Sequence, residues 1–363
     1  MKKFIHKIHY SKDLKIHHLL FKLILSIGSV FYGLAINLRN FLYFIRILPT
    51  TKLDRIVIAI GNLTTGGTGK TPITADLAKM LVKTNKKIAI LSRGYGGSLD
   101  SKEVHLISDG EKVFYNAKEA GDEPYWMASN IKNVFVITCK DRVKAAKWAI
   151  KEFDIDIFIL DDGYQYRPLE RDLNILLIDG HKKFGNNMLL PAGPLREPIS
   201  EIKRANKIIV VNKIPYSHSS IKNCRAYSRY LIKKYDIETF GCSTVATGVY
   251  NVTQNIPVLD LKKVYAFTGI AQPEFFFSAL EVHQHQLVKK VEFDDHYAYT
   301  PKDLLKIINE AKIAGADIIV TTEKDMVKIK PFIDKMTLDI PFYVLKLSIE
   351  LDIANLLKGI VAY

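Results

Sequence analysis

The stretch from Arg55 to Met80, RIVIAIGNLTTGGTGKTPITADLAKM, constrains the fold of this chain more than any other. Residues 56–60 are a short β-branched apolar run of the kind that forms a buried strand. A glycine-rich turn follows, and beyond Lys70-Thr71-Pro72 the residues Ile73, Leu77, Met80 and Leu81 recur at helical spacing. Strand, glycine-rich loop, Lys-Thr and helix in that order make a phosphate-binding loop. Its glycines let backbone N–H groups turn onto phosphate oxygens, and the helix N-terminus adds the positive end of its dipole. In such a loop Lys70 reaches the β- and γ-phosphates of a nucleotide and the Thr71 hydroxyl ligates Mg²⁺. The strict pattern G-x-x-x-x-G-K-[ST] has glycine at position 64, where this chain has Thr64; Gly66, Gly67 and Gly69 supply the freedom instead. The alternative is an ordinary βα turn that merely contains a lysine.

At 363 residues the chain is long enough for two domains or one large α/β domain. Its three cysteines, Cys139, Cys224 and Cys242, are scattered and form no C-x-x-C, which fits a reducing compartment and gives no metal or disulfide framework. The net charge of +14 is unevenly placed. Residues 1–55 carry ten Lys/Arg against Asp13 and Asp54, so +8 lies in the first seventh of the chain. Nucleic-acid binders spread such charge over a folded face, whereas here it flanks an apolar segment. That placement favours an anionic membrane surface as partner and disfavours nucleic acid.

The apolar segment, residues 19–36, has its polar and small residues at Lys22, Ser26, Ser29, Gly33 and Asn37, one narrow stripe along a helix otherwise made of Leu, Ile, Phe and Val. No small-residue cleavage site follows, which argues against a cleaved signal peptide. Basic residues on both flanks disfavour a simple crossing, because both would be held on the cytosolic side. The expectation is an anchor that embeds without crossing, with a single span or a buried core helix as alternatives. Such an anchor is expected to be removable, leaving a folded, ATP-competent core.

Further along, residues 87–91 read as a strand ending in SRGYGG, where Arg93 could meet an anionic ligand. Residues 99–118 look like a polar hairpin or insertion. Gly121-Asp122-Glu123-Pro124 heads a helical run, and an acidic pair there is by itself a capping arrangement. The strand at 155–160 runs into Asp161-Asp162-Gly163, the form in which a carboxylate at the sheet's carboxyl edge holds Mg²⁺. Strands and helices alternate to about residue 215, which implies a mainly parallel sheet covered on both faces, with ligands off the strands' carboxyl ends. Asn212-Lys213 faintly resembles a guanine-reading N-K-x-D, but position 215 is Pro. From about residue 236 the texture changes to short strand candidates at 237–252 and a second, smaller α/β unit. The expected organisation is a basic, apolar anchor at 1–50, a P-loop NTPase-like core at 51–235 and a smaller α/β domain at 236–363.

The ordered set GNLTTGGTGKTP (61–72), SRGYGG (92–97), GDEP (121–124), DDGYQ (161–165), LLPAGPLREP (189–198), DDHYAYT (294–300) and TTEKD (321–325) resembles the tetraacyldisaccharide 4′-kinase family, a lipid A pathway kinase of Gram-negative bacteria. The likeness runs to about residue 330, and Thr64 is not a departure from that family. The resemblance implies ATP- and Mg²⁺-dependent phosphorylation of the 4′-hydroxyl of a tetraacylated glucosamine disaccharide 1-phosphate at the cytoplasmic face of the inner membrane. It implies a nucleotide gripped between two α/β domains, with no obligate protein partner. By position, Thr64, Thr65, Gly66, Gly67, Thr68, Gly69, Lys70 and Thr71 would hold the phosphates, with Thr71, Asp161 and Asp162 at the metal. Asp122 would be the catalytic base with His296 as its partner, beside Lys70. Arg93, Gln165, Arg171, Arg196 and Glu197 match motif positions expected near substrate. The competing class is a membrane-associated P-loop ATPase or GTPase switch that modifies no lipid; it would not need Asp122 and His296 as a pair.

Overall fold

The structure, a computed structural model, describes residues 2–11, 15–213, 217–252, 256–258, 260–270, 273–295 and 297–360. Two helices, α1 (Lys2–Tyr10) and α2 (Ile16–Phe44), come first. The first α/β unit then runs β1 (Ile56–Asn62), α3 (Lys70–Val82), β2 (Ile88–Ser92), β3 (His105–Ser108), α4 (Ala117–Ala120), α5 (Asp122–Asn130), β4 (Val134–Thr138), α6 (Arg142–Phe153), β5 (Ile157–Leu160), β6 (Leu173–Asp179), a 3₁₀ turn (Ile199–Arg204), β7 (Lys207–Asn212) and α7 (His218–Tyr235). The second comprises β8 (Glu238–Asn251), β9 (Lys263–Thr268), α8 (Pro273–Val282), β10 (Gln286–Glu292), α9 (Pro301–Ile313), β11 (Ile318–Thr322), α10 (Glu323–Ile333), β12 (Phe342–Glu350) and α11 (Ile353–Leu357).

The described strands form one sheet in the order β10-β9-β11-β12-β8-β7-β6-β1-β5-β2-β4-β3. It is parallel except where β3 meets β4 and β12 meets β8. β1 lies between β5 and β6, and every residue from Val57 to Asn62 is buried. Ile58 and Ile60 pack with Ile73, Leu77 and Leu81 of α3, while Val57 and Ala59 pack on the other face with Ala145, Ala146 and Ala149 of α6. Burial on both faces is why the run reads as continuously apolar rather than alternating. Gly61 is required by a close approach: a Cβ there would lie 2.6 Å from that of Tyr164.

The segment expected as a polar insertion at 99–118 contributes the edge strand β3 and begins α4. The short strand candidates at 237–252 are a single long strand. Its first half, Glu238–Ser243, runs parallel to β7, and Ser243–Asn251 runs antiparallel to β12, so β8 belongs to both units. Near the chain's end, Leu356 and Leu357 of α11 pack back into the core built on β1 and α3.

α2 spans 29 residues with a mean hydropathy of 2.0 over its most apolar window, long and apolar enough to cross a membrane. Its buried residues are His18, Ser29, Gly33 and Asn40. Leu23, Ile24, Ile27, Val30, Phe31 and Leu34 are all at least 60% exposed, which removes the buried-core-helix alternative. α1 meets the 185–191 loop, with His9 Nε2 2.9 Å from the Pro191 carbonyl and the Asn186 amide donating to the His9 carbonyl (2.9 Å).

Candidate functional site

A cleft of about 900 Å³ opens at the carboxyl ends of β1, β2 and β5 and is closed on its far side by α8 and α10 of the second unit. Its floor is the loop between β1 and α3. Gly66 and Gly69 hold φ of +103° and +87°, and nothing stands within 4 Å of a Cβ built at Gly66 or Gly67, so this backbone faces open space. The first turn of α3 has no acidic residue, leaving the positive end of its dipole unopposed. Thr68 is buried, and its hydroxyl has no hydrogen-bond partner among the described residues. The outer side of the loop is tied down: Tyr10 Oη donates to the Thr65 carbonyl (3.2 Å), Thr65 N to Pro194 O (2.7 Å), and Lys213 to the Gly67 carbonyl. The weak N-K signal at 212–213 therefore supplies a buttress to the phosphate loop, with Lys213 also paired to Asp179 at 3.3 Å.

Lys70 Nζ lies 3.5 Å from Asn62 Oδ1 and 3.7 Å from Asp162 Oδ1. Asp161 directly follows β5, is buried, and accepts a hydrogen bond from Thr74 Oγ1 (3.2 Å). Burial, then the neighbouring charges of Glu123 and Asp162, push its carboxyl up to about 7 despite Lys70. Asp162 sits at φ +50° and takes two hydrogen bonds from the Arg196 guanidinium, both 3.0 Å. Burial works against its charge, but Lys70 and Arg196 outweigh it and hold this carboxyl well below the usual range. The two adjacent carboxylates thus differ in ionisation because Lys70 and Arg196 prevail over burial at Asp162, whereas burial and two like charges prevail over Lys70 at Asp161.

The second unit enters through α10. Lys324 and Lys328 stand one helical turn apart on one face. Lys324 pairs with Glu123, and Lys328 lies 3.1 Å from Asp122 and 3.7 Å from Asp325. Asp122 is the first residue of α5, behind an N-cap at Gly121. Glu123 also accepts from the Thr71 hydroxyl at 3.1 Å. Burial opposes ionisation of Glu123, yet Lys324, Lys70 and that hydroxyl keep it well below the ordinary carboxylate range.

Of the residues expected from the sequence, Thr65 to Thr71, Arg93, Asp122, Asp161, Asp162, Gln165 and Arg196 all line this one cleft. Thr64 is buried just beneath it, bridged to Leu195. Two do not reach it. Arg171 is turned onto the carbonyls of Gly163 and Tyr166, where it holds the DDGYQ turn. Glu197 is wholly buried among Arg39, Arg204 and Gln165. His296 lies outside the described residues; its neighbour Asp295 lines the cleft. Glu123, Lys324, Lys328, Asn62 and Arg142, whose guanidinium sits 4.9 Å over the Tyr166 ring, were not singled out from the sequence. Glu123 and Lys324 fall inside the motifs GDEP and TTEKD without having been given a role there, whereas Lys328 and Arg142 lie in no quoted motif.

The donor set suits a polyphosphate with a hard cation. Thr71, Asp161, Asp162 and Glu123 present oxygen only, and the charged form of Asp161, disfavoured by burial and two like charges, is one that a divalent ion would stabilise. No three His, Cys, Asp or Glu side chains form a self-sufficient metal cage among the described residues. Mg²⁺ is a cation commonly held by one or two carboxylates together with phosphate oxygens.

Residues 21–362 match the family described as Tetraacyldisaccharide-1-P 4′-kinase. The chain is 39% identical over 317 residues to the tetraacyldisaccharide 4′-kinase of Geobacter metallireducens, covering 86% of this chain and 90% of that protein. To the tetraacyldisaccharide 4′-kinase of Halothermothrix orenii it is 36% identical over 348 residues, covering 90% and 88%. Among solved structures, LpxK from Aquifex aeolicus in complex with ATP superposes with a TM-score of 0.73 at 31% identity, covering 93% of this chain and 97% of that one. With the phosphate loop, the paired carboxylates and the closing α10 in one cleft, and a match across nearly all its length, the chain belongs to the tetraacyldisaccharide-1-P 4′-kinase family.

Proposed function

We propose that this cleft phosphorylates the 4′-hydroxyl of a tetraacyldisaccharide 1-phosphate from ATP by positioning and charge neutralisation, with Asp122 as the base. The observation that carries the reading is the convergence of Lys70, Asp162 and Arg196 from the first unit with Lys324 and Lys328 from the second around one open phosphate loop. Phosphoryl transfer needs little covalent help, so such a constellation suffices. The loop amides from Thr65 to Thr71 and the α3 dipole hold the phosphates, and Lys70 follows the γ-phosphoryl group. Mg²⁺, when bound, would be held by the Thr71 hydroxyl and the Asp161 and Asp162 carboxylates together with phosphate oxygens, and it would supply neutralisation of phosphate charge. Asp122 takes the proton of the sugar hydroxyl as that oxygen bonds to phosphorus and the bond to ADP breaks. Lys328, 3.1 Å away, orients its carboxylate. His296 is the sequence-based candidate for a second partner of that base.

The substrate's acyl chains place the reaction at a bilayer, and the exposed apolar face of α2 with its basic flanks supports docking at the anionic cytoplasmic face of the inner membrane. Contacts along α2 from Gly28 to Arg39 with the loop 188–198 favour a helix lying against the body of the protein over one crossing the bilayer. The test is transfer of labelled γ-phosphate from ATP to a tetraacyldisaccharide 1-phosphate in mixed micelles. Labelled lipid is the expected product. ATP hydrolysis without lipid labelling would instead favour the switch ATPase reading.

A further inference from the structure

The inward stripe of α2 is keyed to the catalytic unit more closely than a tether requires. Ser29 Oγ donates to the Leu189 carbonyl (2.8 Å) and accepts from Ala192 N (2.9 Å). Gly28 and Gly33 admit Pro191 and Leu189 to within 3.2 and 3.0 Å of where a Cβ would stand. Tyr32 Oη donates to the main-chain carbonyl of Arg196 at 2.8 Å. Two turns on, the Arg39 guanidinium, steadied by Asn40 Oδ1 at 3.0 Å on its own helix, pairs with Glu197.

Glu197 is 0% exposed, and it joins three elements. Arg39 comes from α2, Arg204 from the 3₁₀ turn, and Gln165 Nε2, 3.2 Å away, from the floor of the cleft. Gln165 donates in addition to the Asn62 carbonyl at 2.9 Å. Arg196 reaches the same carbonyl at 3.2 Å and the Asn62 side-chain oxygen, which is also the oxygen nearest Lys70. A continuous series of polar contacts therefore runs Arg39–Glu197–Gln165–Asn62–Lys70, with Arg196 and Asp162 as a branch.

We propose that Arg39 is a positioning residue for phosphoryl transfer: through Glu197 it sets Gln165 and Arg196 beneath the phosphate site, so that seating α2 is required for turnover and not only for reaching the lipid. The proposal rests on the kinase reading of the cleft. Two guanidiniums hold the buried carboxylate, Arg39 on Oε1 and Arg204 on Oε2. Without Arg39, Arg204, which is already bonded to Glu201 at 2.5 Å, draws Glu197 alone, and Gln165 loses its fixed acceptor. A shift well under an ångström at Asn62 is felt by Lys70, and misplacement on that scale costs as much as about 10²-fold in rate. On this proposal residues 1–50 are more than a detachable anchor.

The experiment uses the full chain and compares Arg39→Met with wild type on the disaccharide substrate in detergent micelles. Melting temperature and co-sedimentation with phosphatidylethanolamine–phosphatidylglycerol vesicles are measured alongside. The expected result is a fall in kcat of about tenfold to a hundredfold with KM for ATP, vesicle binding and fold retained. Arg39→Lys should recover part of the rate. The double variant Arg39→Met/Glu197→Gln should be no slower than the slower single one, because the two act as a unit. Phe31→Ser/Leu34→Ser, on the exposed face, should do the reverse and lose vesicle binding while keeping the micellar kcat. A micellar kcat for Arg39→Met within about twofold of wild type, or a loss that merely tracks the unfolded fraction, overturns the proposal. Failure of wild type itself to label the lipid would overturn the kinase reading instead.

Discussion

Asp161 and Asp162 are neighbours in sequence with opposite electrostatic fates, and that difference is testable. Asp162 has Lys70 and Arg196 on it; Asp161 is raised by burial and by two like charges, with a threonine hydroxyl as its hydrogen-bond donor. Because the folded state raises the Asp161 carboxyl to about 7, it binds a proton that the unfolded chain has already lost above the ordinary value of 3.8. Stability of the nucleotide- and Mg²⁺-free protein from this group is therefore full below about pH 4, falls as pH rises toward 7, and levels off beyond. Melting temperature followed from pH 5 to 8 should decline, and Asp161→Asn, which keeps an oxygen for Thr74, should flatten that part of the curve. The carboxylate beside it in the mechanism, Asp122, carries a rate prediction: Asp122→Asn should lower kcat by about 10²–10⁴ while ATP affinity hardly changes. An intact rate in steady-state assays would reject it as the base. Lys70→Ala should cost at least about 10³ in turnover, and near-normal turnover from the folded variant would overturn the phosphate-loop assignment.

Among the elements, α10 is the one that brings the second unit to the chemistry. Lys324 neutralises Glu123 where that carboxylate touches Thr71. With Lys324→Met, Glu123 would stand uncompensated beside incoming phosphates, and KM for ATP should rise about tenfold, the size of one partly buried charged hydrogen bond. Initial-rate kinetics across ATP concentrations measure this directly. That pairing spans 201 residues, which explains what the sequence could and could not disclose. The phosphate loop, the strand-end Asp161-Asp162 and the narrow polar stripe of the apolar α2 are local patterns, each set by a few nearby residues, and all were legible. Motif likeness also placed Asp122, Arg93, Gln165 and Arg196 at the site. It did not separate residues that face the cleft from those that support it: Arg171 and Glu197 sit one layer behind, for backbone carbonyls and guanidiniums respectively. Lys324 was marked only by its place in TTEKD, and nothing local marks Lys328 as opposed to any other helical lysine. β8 was hard to read as one strand because Gly241 and Gly248 interrupt it and its two halves have different neighbours.

At the scale of the whole molecule, the cleft depends on two α/β units that share a sheet, a returning C-terminal helix and an N-terminal helix seated against the loop 188–198. Changes at the periphery therefore arrive at the centre. Leu356 and Leu357 are both fully buried in the core beneath the phosphate-loop strand. Leu357→Ala should cost about 2–5 kcal/mol of stability, readable by chemical denaturation, although it lies near the end of the chain. The sharing of β8 has a practical corollary for anyone who would sever the chain after α7. Such a fragment keeps every residue of the phosphate loop but strips the partner from β7, whose Ile208, Ile209, Val210 and Val211 are buried in the intact protein. An uncapped apolar strand with its amide and carbonyl groups unpaired is a template for other copies. The fragment should precipitate or self-associate rather than stay monomeric, and the second unit, robbed of β7, would leave the opposite side of β8 equally bare.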